Sequence, residues 1–224
     1  MKNMKLFFKC LLVALFLASC SSSTKLNQSD VKPEEINDLQ RFETISVINL
    51  IDENERNITH SDSLSNKSKA IFLKALKSFS NQIPELSALN IFDQKIKRII
   101  EFEIKQLFNK AEEAPSISDI NIPTYIDSIL DANSKRFALL TLAVGSIKAK
   151  EKISNIKKAE NISIGAMAND DSASQIHSVI AVIILDSKEN NIAFYKKSSL
   201  ENEEPLDLVI LKKQIDEIFR GYFW

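Results

Sequence analysis

The sequence predicts an α/β domain, with α+β as the alternative. The expected form is a small mixed sheet with a β-hairpin in the C-terminal half, covered by amphipathic helices. Three observations lead there. Phe137–Val144 is apolar at every position except Thr141, the pattern of a strand buried on both faces inside a sheet that helices cover. Ile176–Leu185 and Ile192–Tyr195 are two β-rich runs separated by the polar stretch Asp186–Asn191, which reads as a hairpin. Phe72, Ala75, Leu76, Phe79 and Ile83, then Phe92, Ile96, Ile99, Ile100, Ile104, Leu107, Phe108 and Ala111, recur at helical spacing.

The first residues read as a leader. Lys2, Lys5 and Lys9 form a basic region without acids, and Leu11–Ala18 is an uninterrupted apolar run. That run is far short of the roughly 20 residues a spanning helix needs, so residues 1–19 read as a signal peptide. It closes on Leu17-Ala18-Ser19-Cys20, which resembles a bacterial lipobox. The resemblance implies cleavage between Ser19 and Cys20 and acyl chains on Cys20. Each buried methylene contributes about 0.8 kcal/mol, and two or more chains anchor stably. The implied partner is therefore a membrane. Ser21 rather than Asp follows Cys20, and no acid occurs in Ser21–Lys25. By lipoprotein sorting rules this resembles an address on the periplasmic face of the outer membrane, with the inner membrane and the cell surface as alternatives.

The mature part has about 205 residues, one ordinary domain. Removing three leader lysines from 29 basic residues leaves 26 against 30 acidic ones. A net charge near −4 argues against a nucleic-acid partner, which needs a basic excess. On this reading Cys10 lies in the leader and Cys20 would carry lipid, so neither a disulfide nor a cysteine metal site is expected, and no cofactor. Residues 20–32, mostly polar and with four serines, read as a flexible tether reaching roughly 20 Å. Residues 33–224 are expected to form a single domain.

Within it, Pro33-Glu34-Glu35 opens a short helix whose stripe is Ile36 and Leu39. Thr44–Ile51 is β-branched and reads as the first strand. Asp52, Glu53 and Glu55 share a loop without EF-hand spacing, so it is read as solvated rather than calcium-binding. The first long helix is capped by Ser65 and ended by Pro84. The second exposes Lys95, Lys97, Arg98, Glu101, Glu103 and Lys105, with Phe102 off its apolar face. Pro123 starts a third helix through Ile126 and Leu130. Gly145 ends the buried strand or lets another backbone approach closely. Lys148–Lys158 reads as a solvated basic connection, and Ile162–Ala168 as an edge strand or loop. Glu203-Glu204-Pro205 opens a last helix along Leu208, Leu211, Ile215, Ile218, Phe219 and Tyr222. The aromatic end Tyr222-Phe223-Trp224 is expected to pack into the core, with a partner contact as the alternative.

Phe137-Ala138-Leu139-Leu140 with Gly145-Ser146, followed by Ile180, Ile184, Asp186, Ile192 and Tyr195, resembles the pattern of periplasmic lipoprotein domains of the CsgG and LpoB type. The likeness spans about two thirds of the chain as an order of elements. It implies a small α/β fold in the envelope. That family serves unlike roles, from a secretion pore to activation of a cell-wall synthase, so it implies no single activity. The chain departs from it by extra helices between the first two strands.

No catalytic pattern stands out. His60 and His177 are far apart and lack an HExxH-like context. A Ser-His-Asp set could be written from His177 and Asp186, but no Gly-x-Ser-x-Gly elbow exists. Gly145, Gly165 and Gly221 are the only glycines, too few for a phosphate loop. A non-catalytic envelope accessory or adaptor protein is therefore expected, with an envelope protein as partner and self-association open. Its contact surface would be the edge Ile162–Ala168, the hairpin turn with Asp186 and Asn190, or Tyr222, Phe223 and Trp224. The alternative is a small-ligand or lipid-binding lipoprotein with a pocket between sheet and helices.

Overall fold

A computed structural model describes the backbone of residues 23–28, and residues 31–52, 57–149 and 176–224. It shows the α/β fold: one mixed eight-stranded sheet with helices on both faces. The strands are β1 (Ser23–Gln28), β2 (Asp38–Arg41), β3 (Ile45–Ile51), β4 (Ile58–His60), β5 (Glu85–Ala88), β6 (Phe137–Lys148), β7 (His177–Asp186) and β8 (Asn191–Glu201). The helices are α1 (Asp62–Lys77), α2 (Gln94–Glu113), α3 (Thr124–Ala132) and α4 (Leu208–Phe219).

The centre is the antiparallel set β6–β7–β8, whose register runs Phe137↔Asp186 to Ser146↔His177 and Asp186↔Asn191 to His177↔Glu201. Both β6 and β7 are buried along nearly their whole length. Successive side chains point to opposite faces, so two cores form. Ala138, Leu140, Leu142, Val179, Ala181 and Ile183 meet Ile104, Leu107 and Phe108 of α2 and Ile126 and Leu130 of α3. Leu139, Ile180, Val182 and Ile184 meet Phe72 and Leu76 of α1 and Leu211, Ile215, Ile218 and Phe219 of α4. On its other side β6 pairs in parallel with both β2 (Arg41↔Leu139) and β3 (Ile45↔Leu142 through Ile51↔Lys148). β5 pairs in parallel with β2 and ends that path of the sheet.

Several local expectations are corrected. Ser23–Gln28 is not tether: it pairs antiparallel with β8, Ser23 opposite Ser199. The sheet therefore begins before residue 33. Leu39 does not share a helix with Ile36, because only Pro33–Glu35 turns as a 3-10 helix and Leu39 lies in β2. α1 is capped one turn earlier, by Ser61, whose Oγ accepts from the Leu64 amide. Ser65 instead accepts the Ile48 amide at 2.9 Å, tying α1 to β3. α1 ends at Lys77, well before Pro84, and Glu85–Ala88 is strand. α4 starts at Leu208 behind the Asp207 cap, not at Pro205. Pro205 packs on Gly145, where an added Cβ would lie 2.4 Å from the proline Cβ and 2.8 Å from the His177 carbonyl oxygen. Gly145 thus does not end the strand, which runs on to Lys148, and what it admits most closely is a proline side chain, with the His177 backbone next. Phe92 and Phe102 are exposed, Phe92 against its expected place in the stripe.

Candidate functional site

The residues expected to meet a partner divide sharply. Asp186, at the end of β7, is fully buried. Arg136 donates to it twice, Nε at 2.9 Å and Nη2 at 2.7 Å, and the Lys188 amide adds a third bond at 3.1 Å. The Arg136 guanidinium also lies 4.5 Å from the Phe137 ring centroid. Its hydrogen bonds to Asp186 outweigh the effect of burial and hold it above its ordinary pKa. Asp186 thus latches the hairpin and is not open to a partner, which corrects its assignment to the contact surface. Asn190 is exposed with φ 52°, and its Oδ1 accepts the Ile122 amide at 3.2 Å. Its side chain too is spent on the fold.

The aromatic end packs. Tyr222 is buried, stacked 4.4 Å from Phe194. Burial, with the charges of Glu34 and Glu35, pushes its phenol up to about 12. Trp224 lies parallel to Phe79 with centroids 5.5 Å apart, and its Nε1 donates to Asp216 at 3.2 Å. Phe223 lies edge-on to Tyr222 at 4.8 Å. Nearby, Lys196 donates to the Glu217 carbonyl at 2.6 Å, a cation against the C-terminus of α4. Burial lowers the pKa of this lysine, and Glu217 offsets part of that.

Two polar clusters lie inside the layers. Tyr195 is fully buried and donates to Glu112, which Lys197 also meets at 3.2 Å. Burial and that bond drive the Tyr195 phenol far upward. Gln214 joins Ser178 and the Ser198 carbonyl, pinning α4 to β7 and β8. Of the histidines, His177 Nδ1 lies 2.8 Å from Ser146 Oγ, and His60 Nε2 lies 3.1 Å from Asp62. Asp186 is nine residues along β7 from His177, roughly 30 Å at about 3.4 Å per residue. The structure therefore brings no Ser-His-Asp set together from these two. Among the described residues no cluster of metal-ligating side chains occurs. Ser19, Cys20, Glu53, Glu55 and the candidate edge Ile162–Ala168 lie outside the described residues, as does most of Lys148–Lys158.

What stays open is a place the sequence did not single out: the β5 margin. A cleft of about 510 Å³ lies between the C-terminal turns of α1 and β5. Leu73, Leu76, Ile83, Pro84 and Leu86 give it apolar walls, and Arg41 and Lys77 give it cations. It sits at the edge of the sheet rather than beneath its centre. The Leu89 amide donates to the Arg41 carbonyl at 2.9 Å. Backbone groups alternate sides along a strand, so Glu85 and Ser87 also face β2, while Leu86 and Ala88 turn their N–H and C=O outward. Arg41 is half-buried. Burial lowers its pKa, and Glu43 offsets part of that. Glu43, however, is held by Lys69 at 3.0 Å and Lys97 at 2.5 Å. No signal in the linear sequence distinguished Arg41 from other surface cations.

No protein-family model matches the chain, and no curated protein matches it in sequence. Among solved structures it overlays on a PelC dodecamer from Paraburkholderia phytofirmans with a TM-score of 0.40 at 5% identity, over 91% of this chain and 98% of that one. A point variant of the same PelC, again a dodecamer, gives a TM-score of 0.37 at 6% identity, over 91% and 99%. A superposition at this level identifies neither a family nor a function.

Proposed function

We propose that this chain is a lipid-anchored envelope lipoprotein, held at the periplasmic face of the outer membrane by acyl chains on Cys20. There it acts as a non-catalytic accessory or adaptor protein. One observation carries the protein-binding part: among the described residues the outward edge of β5 has no neighbouring strand, and it lies beside an apolar cleft. Open strand edges recruit partners by strand addition. The anchor rests on the Leu17–Cys20 pattern.

The position of β1 supports the arrangement. Ser23 pairs with Ser199 three residues after Cys20, and three residues span at most about 11 Å. The lipid would therefore hold the sheet by the end where β8 finishes and β7 begins. β2 pairs with the opposite end of β6, at Ala138 and Leu139, so the β5 margin would face away from the membrane. A small-ligand or lipid-binding role is the second reading, favoured by the cleft's volume, which falls in the range of small-molecule sites.

Cys20→Ser should move the protein from the membrane fraction to the soluble one. Retention in the membrane would end the lipoprotein reading. In-cell crosslinking and pull-down of the lipidated protein should yield one dominant envelope protein. A monomer that brings down only lipid or metabolite would favour the second reading.

A further inference from the structure

We infer that the β5 margin binds an extended peptide bearing an aliphatic side chain and, two residues away, a carboxylate. The peptide pairs with the outward edge of β5, its aliphatic group enters the cleft, and its carboxylate meets Arg41. This rests on the protein-binding reading above and names the chemistry of the partner.

The backbone comes first. Leu86 and Ala88 face outward, and no backbone partner for either lies on that side among the described residues. Two N–H and two C=O groups are thus ready to take a strand, either parallel or antiparallel. The side chains of Leu86 and Ala88 fall on the same face as Leu73, Leu76 and Ile83. An added strand would place alternate residues over that face. The residue beside Leu86 would meet the apolar walls.

The residue beside Ala88 meets something else. Ala88 pairs with Arg41 across β2. Adjacent strands lie about 4.8 Å apart, so the added residue's Cα would be roughly 10 Å from that of Arg41. An arginine and a carboxylate side chain together span that gap. Alanine between them leaves the path open, where a larger residue would close it. Arg41 also has charge to offer. Its hydrogen bond is to the Phe42 carbonyl, at 3.4 Å, and no carboxylate among the described residues lies within ion-pair distance. Lys77 adds a second cation at the rim, against Glu85 alone. Half-buried guanidinium beside apolar walls calls for an anion joined to an apolar group. A fatty acid would satisfy the cation and the cleft but leave the strand edge unused, whereas a peptide satisfies all three.

The test uses the full-length lipidated protein in nonionic detergent and a random heptapeptide display library. The expected result is an enriched consensus with an acidic residue two positions from Leu, Ile or Val. A labelled consensus peptide should bind at least tenfold more weakly to Arg41→Gln. Exchanging the peptide's acid for its amide should weaken wild-type binding by a similar factor and add little to Arg41→Gln. Ala88→Pro removes an outward N–H while sparing the bonds to β2, so it should abolish binding with an unchanged thermal midpoint. Arg41→Gln decides the matter if Ala88→Pro fails to fold. No enrichment, or binding indifferent to Arg41→Gln, overturns the inference. So does saturable oleate binding that Arg41→Gln removes while no peptide is enriched. In cells, a crosslinked partner retained by both variants overturns this site but leaves the adaptor reading. The absence of any partner for wild type overturns that reading itself.

Discussion

At the hairpin end of the sheet, Asp186 accepts three hydrogen bonds at zero exposure, and Tyr222 and Trp224 stack on Phe194 and Phe79. At the β2–β5 margin, Arg41 lines an open cleft with a single long bond to a carbonyl, and Leu86 and Ala88 turn backbone groups outward. Both regions contain the residue types that recognition uses. The hairpin end consumes them in folding, and the margin leaves them available. A charged or aromatic residue thus becomes a contact only where its own chain has not already satisfied it.

Deleting Gly221–Trp224 is the strongest way to break the hairpin end. It removes three packed aromatics, each worth about 3 kcal/mol or more when buried, less for the half-exposed Phe223 and Trp224. A loss of about 5 kcal/mol is expected, comparable to the whole stability of a small domain. Circular dichroism should show a largely unfolded chain. A truncated protein that melts like wild type would return the tail to the set of contact surfaces.

Asp186→Ala comes next. It leaves the Arg136 guanidinium, only one third exposed, with Glu35 at 3.7 Å as its remaining carboxylate. Removing one partner of a buried pair costs about 3 kcal/mol at the low end, and that end applies because Arg136 keeps some water. The urea midpoint should fall with the slope unchanged.

Gly145→Ala should cost about 2 kcal/mol through overpacking against Pro205. On a Pro205→Gly background, which removes both the Cβ and the Cγ that the new methyl would meet, Gly145→Ala should recover part of that loss in the same melt. No recovery would show that the His177 carbonyl, not the proline ring, sets the limit.

Glu43→Gln, beside the open margin, should cost less than about 1 kcal/mol at neutral pH, because its ion pairs are half exposed. Burial alone would raise the Glu43 carboxyl, but hydrogen bonds from Lys97 and Lys69 together hold it below its ordinary value. Its contribution is therefore present above the unfolded-state value near 4.5 and is lost as pH falls through the lower folded-state value. Wild type and variant should differ in melting temperature at about pH 7 and converge in strong acid. A difference that persists at about pH 2, where carboxylates are protonated, would mean that packing, not charge, is at stake.

The long strands were legible because burial on both faces leaves little freedom in composition. Phe137–Val144 and Ile176–Leu185 are apolar at nearly every position, and no other element tolerates that here. The stripes of α2 and α4 were legible for the matching reason on one face. β2 and β5 were not. Asp-Leu-Gln-Arg and Glu-Leu-Ser-Ala carry no alternation long enough to read, and they are strands because β6 offers β2 an edge and β2 offers one to β5. β1 is polar at every position but Leu26 yet pairs with β8 for the same reason. Ser61 and Ser65 stand one helical turn apart, so spacing alone could not choose the cap. The choice fell to Ser61 because β3 needs the Ser65 hydroxyl for the Ile48 amide.

By itself the sequence determined the buried strands and the apolar faces of the helices, since each is written in consecutive or regularly spaced residues. The tertiary structure alone decided which polar groups remain unspent. Arg41 stays available because Glu43 beside it is taken by lysines from α1 and α2, and Asp186 is unavailable because Arg136 arrives from the bend just before β6. Hydrophobic burial follows local pattern, whereas satisfaction of charges and hydrogen bonds depends on pairs that only folding brings together.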